Sequence, residues 1–458
     1  MKAQAIPRTA LLLRGGDVVT MDRKRRVLRG ADVLLADGRI QAIGPRLKAP
    51  PGALVRDCRG SAVLPGLIQS HVHLCQVLFR NHADGLELLD WLKERIWPFE
   101  AAHDAASLRL SAKLGIAELL LSGTTAILDM ATVRHTEEVL RAALDSGLRY
   151  SGGKALMDQG PGVPAALLDD TAAALAETEK LGKAWHGRGD GLIRYALCPR
   201  FVLSCTEELW RRCGELSARH GWVIHTHASE NKTECKVVRE IVGDDNVAYF
   251  DKLGLANRNL VLAHCVHLTA REERILATTG ASAVHCPGAN LKLASGFMPL
   301  PRLLEKGVNV GLGADGAPCN NTLDVFRELR LAATLHLPKF GPRSLPAREV
   351  LALATNNGAK ALGLEDEIGS LEVGKRADAV VLDLSGPHLA PPGDDLHATI
   401  VYGARPSDVR DVIVDGRLLV QDRQLKTLDA AALAKAAPAA MAALQKRAAA
   451  AMITKKRG

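Results

Sequence analysis

The 458-residue chain predicts an α/β fold: a (β/α)8 barrel with a small β-sandwich domain built from both chain termini. Two observations carry this expectation. Between residues 66 and 365, eight apolar, strand-like runs alternate with amphipathic helical patterns, and parallel strands need crossover helices of that kind. Both ends of the chain read instead as short alternating runs broken by turn residues. The expected division is 1–65 plus 366–425 for the sandwich, 66–365 for the barrel, and 426–458 for a C-terminal helix with a basic tail.

At the N-terminal end, "ALLLRGGDVVTMD", "RVLRGADVLLADGRIQAIG" and "ALVRDCRGSAVLPG" are the strand candidates, with "RGGDV" and "ADGRI" as hairpin turn signals. The opening "MKAQAIPRTALLLRGGDVV" is expected to form a first strand, because its apolar run passes into "DVVTMD" with no small-residue cleavage site. In the barrel the strand candidates are "GLIQSHVHL", "TTAILDM", "LRYSGGKAL", "LIRYALCP", "WVIHTHAS", "NLVLAHCV", "SAVHCP" and "VNVGLGAD". Helical patterns such as "SLRLSAKLGIAELLLSG" and "TEELWRRCGELSARHG" lie between them. Near the end, "GSLEVGKRADAVVLDL", "HATIVYG" and "VRDVIVDGRLLVQDRQL" bring back the β texture. The Ala-rich segment after them predicts a helix interrupted at Pro438.

Composition excludes several classes. No apolar stretch reaches the ~18–20 residues a membrane span requires. Net charge is +8, but the basic clusters "DRKRR" and "ITKKRG" carry no interleaved aromatics, which argues against nucleic acid as a partner. Nine scattered cysteines without a C-x-x-C pair point to reduced thiols and a cytoplasmic location.

The chemistry lies at the strand ends. Residues i and i+2 of a strand share a face, so His71 and His73 both point inward, and two imidazoles can share one cation. His227, His264 and Asp315 close three further apolar runs at the same relative position, the C-terminal face where barrels of this type carry catalytic residues. Any one of the fifteen histidines, taken alone, reads as an ordinary hydrogen-bonded residue; the recurrence is what singles these out. A third nitrogen from His227 and an oxygen from Asp315 would leave the open position that catalysis needs.

The stretches "PGLIQSHVHL", "HTHASE", "LAHCVHL", "HCPGANLKLASG" and "GLGADGAPCNN" resemble the amidohydrolase superfamily. More closely they resemble its branch of S-adenosylhomocysteine, methylthioadenosine and 5'-deoxyadenosine deaminases, guanine deaminases and triazine hydrolases. The resemblance runs from "GGDVVTMD" to "GRLLV". It implies one divalent metal ion per chain (zinc, with iron as the alternative), a homodimer, and a small aminated heterocycle as substrate. It assigns the metal to His71, His73, His227 and Asp315, with Glu230 of "HASE" as proton shuttle, His264 orienting the attacking water and Asp315 taking its proton. His225 shares a face with His227 and is the rival ligand; the branch pattern prefers the histidine followed by x-x-Glu. No lysine stands in "LIRYALCP" to bridge a second metal.

For the substrate, the resemblance points to Trp91 as an aromatic wall, Glu100 as a carboxylate for ribose hydroxyls, Gln76 and Arg200 on the ring, and Lys154 where relatives hold an amino-acid carboxylate. The loop "MDQGPGVPAAL" lacks the second basic residue those relatives carry. That favours 5'-deoxyadenosine, methylthioadenosine, adenosine or a bare base over S-adenosylhomocysteine, while Gln76 and Arg200 keep guanine-type and s-triazine substrates open. Retaining Glu230 argues for an amine over a chloride leaving group. A purely structural metal site is disfavoured, since such sites are typically closed four-ligand cages without an adjacent acid.

Overall fold

The structure is a computed structural model that describes residues 8–391 and 393–457. The first residues of the expected opening strand and the side chains of the basic tail lie outside the described residues. Eight parallel strands form the barrel: β1 (Leu67–His73), β2 (Thr124–Met130), β3 (Arg149–Gly153), β4 (Ile193–Tyr195), β5 (Ile224–Ala228), β6 (Leu260–His264), β7 (Ser282–His285) and β8 (Asn309–Leu312). Each falls inside one of the eight runs expected from the sequence. β1 to β4 pair in order, as do β5 to β8. A bridge between Leu197 and Ile224 joins the two sets, and Asp315–Gly316, the continuation of β8, pairs with β1 at Val72 and closes the ring.

The strands are buried on both faces, as a sheet wrapped by helices must be. The surrounding helices start and stop where local chemistry directs. Asp104 accepts from Ser107 N to cap Ala105–Leu121, and Thr206 accepts from Leu209 N to cap Glu207–His220. Thr269 and Glu272 exchange bonds at the start of Ala270–Thr279, and Gly280 ends that helix at φ +78°.

The small domain draws its strands from both ends. Leu11–Val19, Val27–Ala36 and Arg39–Gly44 form an antiparallel meander, with Asp37 and Gly38 at positive φ in the expected two-residue turn. Ser61–Pro65 runs parallel to the first strand and antiparallel to Ala379–Asp383, so it is the seam between the two termini. Val409–Val414 and Arg417–Gln421 extend the sheet beyond the seam. One face packs on the barrel; the other encloses a separate apolar core of Leu13, Val33, Leu35, Val63, Val381 and Ile413.

Three expectations are corrected. "RGGDV" is not a turn: it lies within Leu11–Val19, where Gly15 at φ +74° absorbs a register shift as a bulge. "HATIVYG" is helical, because Asp395 accepts from the amides of His397 and Ala398 and starts a helical turn that buries Ile400 and Val401. The terminal helix runs unbroken through Pro438 over Ala430–Arg457, held by the buried Met441, Leu444 and Ala448. Among the described residues no helix is long and apolar enough to cross a membrane, and all nine cysteines are buried free thiols.

Barrel and small domain are latched by one buried ion pair. Arg149, at the start of β3, donates to both oxygens of Asp378 at 2.7 and 2.9 Å, and Asp378 also accepts from the Asp415 amide at 2.7 Å. Removing one partner would strand the other charge in the interior. R149A is expected to lower stability by about 3–5 kcal/mol, read as a fall in the denaturant midpoint, and the double change R149M/D378L to recover most of it.

Candidate metal centre

At the C-terminal mouth of the barrel, β1, β5, β6 and the continuation of β8 bring His71, His227, His264 and Asp315 together, with one ligand atom of each within 4.8 Å of the others. His73 joins them: its Nε2 is 3.2 Å from His227 Nε2 and 3.4 Å from Asp315 Oδ1. His71 Nε2 stands 3.2 Å from Asp315 Oδ1 without hydrogen-bond geometry, so this buried nitrogen has no partner.

The outer nitrogens explain why the inner ones converge. A backbone carbonyl only accepts, so His73 Nδ1 donates to Met130 O at 3.0 Å and His227 Nδ1 to Arg200 O at 2.7 Å. His264 Nδ1 donates to Asn290 Oδ1 at 2.8 Å. Each proton is thereby held on Nδ1, and each Nε2 lone pair faces the centre. His71 Nδ1 lies 2.8 Å from His225 Nε2, which occupies that nitrogen of His225 and turns it away from the cluster. The rival ligand thus sits behind His71.

Electrostatics match a cation site. Burial holds His71, His227 and His264 below the usual histidine range, and His73 falls to about 3. They are neutral at pH 7, as ligands must be. Burial opposes charge on Asp315, but the His71 imidazole, then those of His264 and His73, hold its carboxyl well below the carboxylate range. Four imidazole nitrogens, that of His71 buried without a hydrogen-bond partner, and one carboxylate fit a divalent cation, and outer N–H bonds to carbonyl oxygens are the support such ligands usually have.

Glu230 sits beside the cluster, its Oε2 3.4 Å from His264 Nε2 and its Oε1 buried without a partner. Burial first, then the charges of Asp315 and Glu234, pushes its carboxyl well above the usual value. Burial thus favours its proton-bearing form. A cavity of about 30 Å³ opens over the cluster, lined by Gln76, Leu88, Trp91, Arg200, Phe201 and Glu230 among others. That is space for a water or two, not for a purine.

Two expected substrate contacts are not brought to this cavity. Lys154 is fully buried elsewhere, bonded to Val133 O and paired at 2.9 Å with both Asp169 and Glu177. Glu100 is also buried, and its oxygens are taken by the Arg200 guanidinium at 2.6 and 3.2 Å and by Gln76 Nε2 at 2.9 Å. A carboxylate paired in this way is turned to Arg200 and Gln76 and does not line the cavity. Gln76, Trp91 and Arg200 do line the cavity, and Gln76 Oε1 and Trp91 Nε1 are both buried and unpartnered.

Some neighbours went unrecognised in the sequence. Asn290 holds His264 from inside "HCPGANLK", and Cys319 Sγ lies 3.1 Å from Asp315 Oδ2. Asp129 accepts from Leu74 N and from Tyr150 OH, each at 2.8 Å, and so fixes the turn that follows His73. Position at a strand end was the available signal for Asp129; the other two lie in "HCPGANLKLASG" and "GLGADGAPCNN", stretches that the resemblance singled out without giving these residues a role.

Residues 62–419 match the description "Amidohydrolase family". The chain is 40% identical over 402 residues to a 5-methylthioadenosine/S-adenosylhomocysteine deaminase of Moorella thermoacetica, covering 87% of this chain and 91% of that one. It is 37% identical over 422 residues to a 5'-deoxyadenosine deaminase of Methanosarcina acetivorans, covering 92% and 94%. An adenosine deaminase from Xanthomonas campestris, solved with bound zinc, has a TM-score of 0.89 at 32% identity and covers 96% of this chain and 99% of that one. With its barrel, its inward-facing imidazoles and this match along most of its length, the chain belongs to the amidohydrolase family.

Proposed function

We propose that the protein is a metal-dependent hydrolytic deaminase of an aminated purine or nucleoside of the 5'-deoxyadenosine, methylthioadenosine or adenosine type. The observation that carries this reading is a buried Glu230, its Oε2 3.4 Å from His264 Nε2, beside a cluster of imidazoles whose Nε2 atoms converge with Asp315. The names of the relatives support the substrate class.

His71, His73 and His227, each through Nε2, and the carboxylate of Asp315 would hold the cation; the Nε2 of His264 lies in the same cluster. When bound, a divalent cation makes water a nucleophile near neutral pH. The chain's own groups then move the protons. Water adds to the ring carbon that bears the amino group, and Asp315 Oδ accepts the proton it loses. Glu230 delivers its proton to the adjacent ring nitrogen. The proton held on Asp315 passes to the departing nitrogen as the C–N bond breaks, and Glu230 regains a proton from the new hydroxyl, so that a ring carbonyl and ammonia result. His264 Nε2, held by Asn290, orients the attacking oxygen. The wall formed by Leu88 and Trp91 must swing outward to admit a ring of purine size. Zinc as the cation, a homodimer and a cytoplasmic location belong to the same reading.

A second substrate class is favoured by one observation. Gln76 Oε1 is an acceptor without a donor, next to an Arg200 that only donates. That pair complements an N–H beside a C=O, as on a guanine-type base, and Glu100 does not line the cavity to meet ribose.

Purified protein is expected to contain about one divalent ion per chain by elemental analysis, with H227A losing it. E230Q is expected to keep the ion and lose about 10²-fold or more in turnover; near-normal turnover would remove Glu230 from the reaction. An ammonia-release panel of 5'-deoxyadenosine, methylthioadenosine, adenosine, guanine, 8-oxoguanine and melamine is expected to show highest kcat/KM on an adenine nucleoside. Highest activity on guanine or 8-oxoguanine would select the second class.

A further inference from the structure

The geometry points to Glu328 as a positioning residue that sets His264 and Asp315 at once; as a statement about turnover, this rests on the deaminase reading. Glu328 lies on the helix Val325–Thr334, is 1% exposed, and touches neither the cavity nor the imidazole cluster. Its Oε2 accepts from the amide of Gly288 at 2.9 Å, and its Oε1 accepts from Asn320 Nδ2 at 2.9 Å. Each partner leads to the centre by one further bond.

Gly288 sits in the short helix Pro287–Lys292 after β7, and two residues on in that helix is Asn290, the acceptor that holds the proton of His264 on Nδ1. Asn320 Nδ2 also donates to Ala314 O at 2.8 Å, and the next residue is Asp315. One carboxylate therefore ties the loop after β7 to the loop after β8. The fit is close: a Cβ added to Gly288 would lie 2.5 Å from Glu328 Oε1 and 2.6 Å from Asn320 Oδ1. No ion pair compensates Glu328 among the described residues, and burial lifts its carboxyl to about 7. A group so costly to bury, bonded only to two segments that carry site residues, is placed for what those segments hold.

The test compares two buried carboxylates that each accept from two amide N–H groups in different places. Asp32, in the small domain, accepts from the amides of Gly15 at 2.8 Å and Leu47 at 2.9 Å. E328Q and D32N each leave one acceptor oxygen for two donors, so both are expected to lower the melting temperature. Only E328Q is expected to lower kcat, by about tenfold or more, with KM little changed. In 15N-imidazole spectra of metal-free protein, E328Q is expected to erode the Nδ1-protonated tautomer of His264 while that of His73, held by Met130, stays. Should E328Q not fold, N320A cuts the Ala314 arm alone and is expected to reduce kcat with the His264 signal intact. Wild-type kcat and an unchanged His264 signal in E328Q, or wild-type kcat in N320A, would overturn the assignment. If no aminated heterocycle is turned over, the His264 tautomer alone decides, so failure of the reaction and failure of this positioning role are told apart.

Discussion

A carbonyl oxygen has no proton to give, and that one-way chemistry organises the mouth of the barrel. Met130 O and Arg200 O, on β2 and after β4, each demand the proton of a histidine on a neighbouring strand. His73 and His227 must yield it from Nδ1, which leaves Nε2 as the only lone pair directed inward. Asn290 imposes the same choice on His264. The cluster is thus assembled by the barrel's own backbone before any ligand arrives. Register supplies the rest: pairing of Asp315 with Val72 brings the one carboxylate level with the two histidines that flank that valine.

Burial makes this arrangement work chemically and also makes it costly. It removes charge from the imidazoles and drives Glu230 toward its neutral, proton-bearing form. Asp315 keeps its charge in the same surroundings because three imidazoles face it, which separates two carboxyl groups into a base and an acid. The Arg200–Glu100 pair shows the other resolution of the same cost. Two charges that could each have met a substrate are matched to one another, and Arg200 keeps only its remaining donors for the cavity.

Much of this was legible in the sequence, for a physical reason. A parallel strand buried on both faces is a run of apolar residues, so a histidine or aspartate ending such a run stands out, and all eight runs became strands. The i, i+2 spacing of His71 and His73 carries their shared face directly. What could not be read depends on a cap, a pairing or a packing partner outside the misread stretch. "HATIVYG" has β-branched residues but answers to the Asp395 cap, and "RGGDV" has turn residues but is absorbed as a bulge by its pairing with Val27–Ala36. Pro438 loses a hydrogen bond that the packing of Met441 and Leu444 outweighs. Lys154 and Glu100 stand where substrate contacts were expected, yet Asp169, Glu177 and Arg200 reach them first. Ion pairing between segments 15 to 100 residues apart leaves no trace in local pattern.

The seam strand Ser61–Pro65 has a consequence in time. It leads through a single glycine into β1, and its outer neighbour, Ala379–Asp383, lies about 300 residues further along the chain. During synthesis the strand bearing His71 and His73 therefore emerges early, attached to a sheet that stays half-built until the ribosome has delivered almost everything else. An apolar edge left open for that interval invites wrong pairing. A truncation removing those later sheet strands would harm a centre to which they contribute no atom.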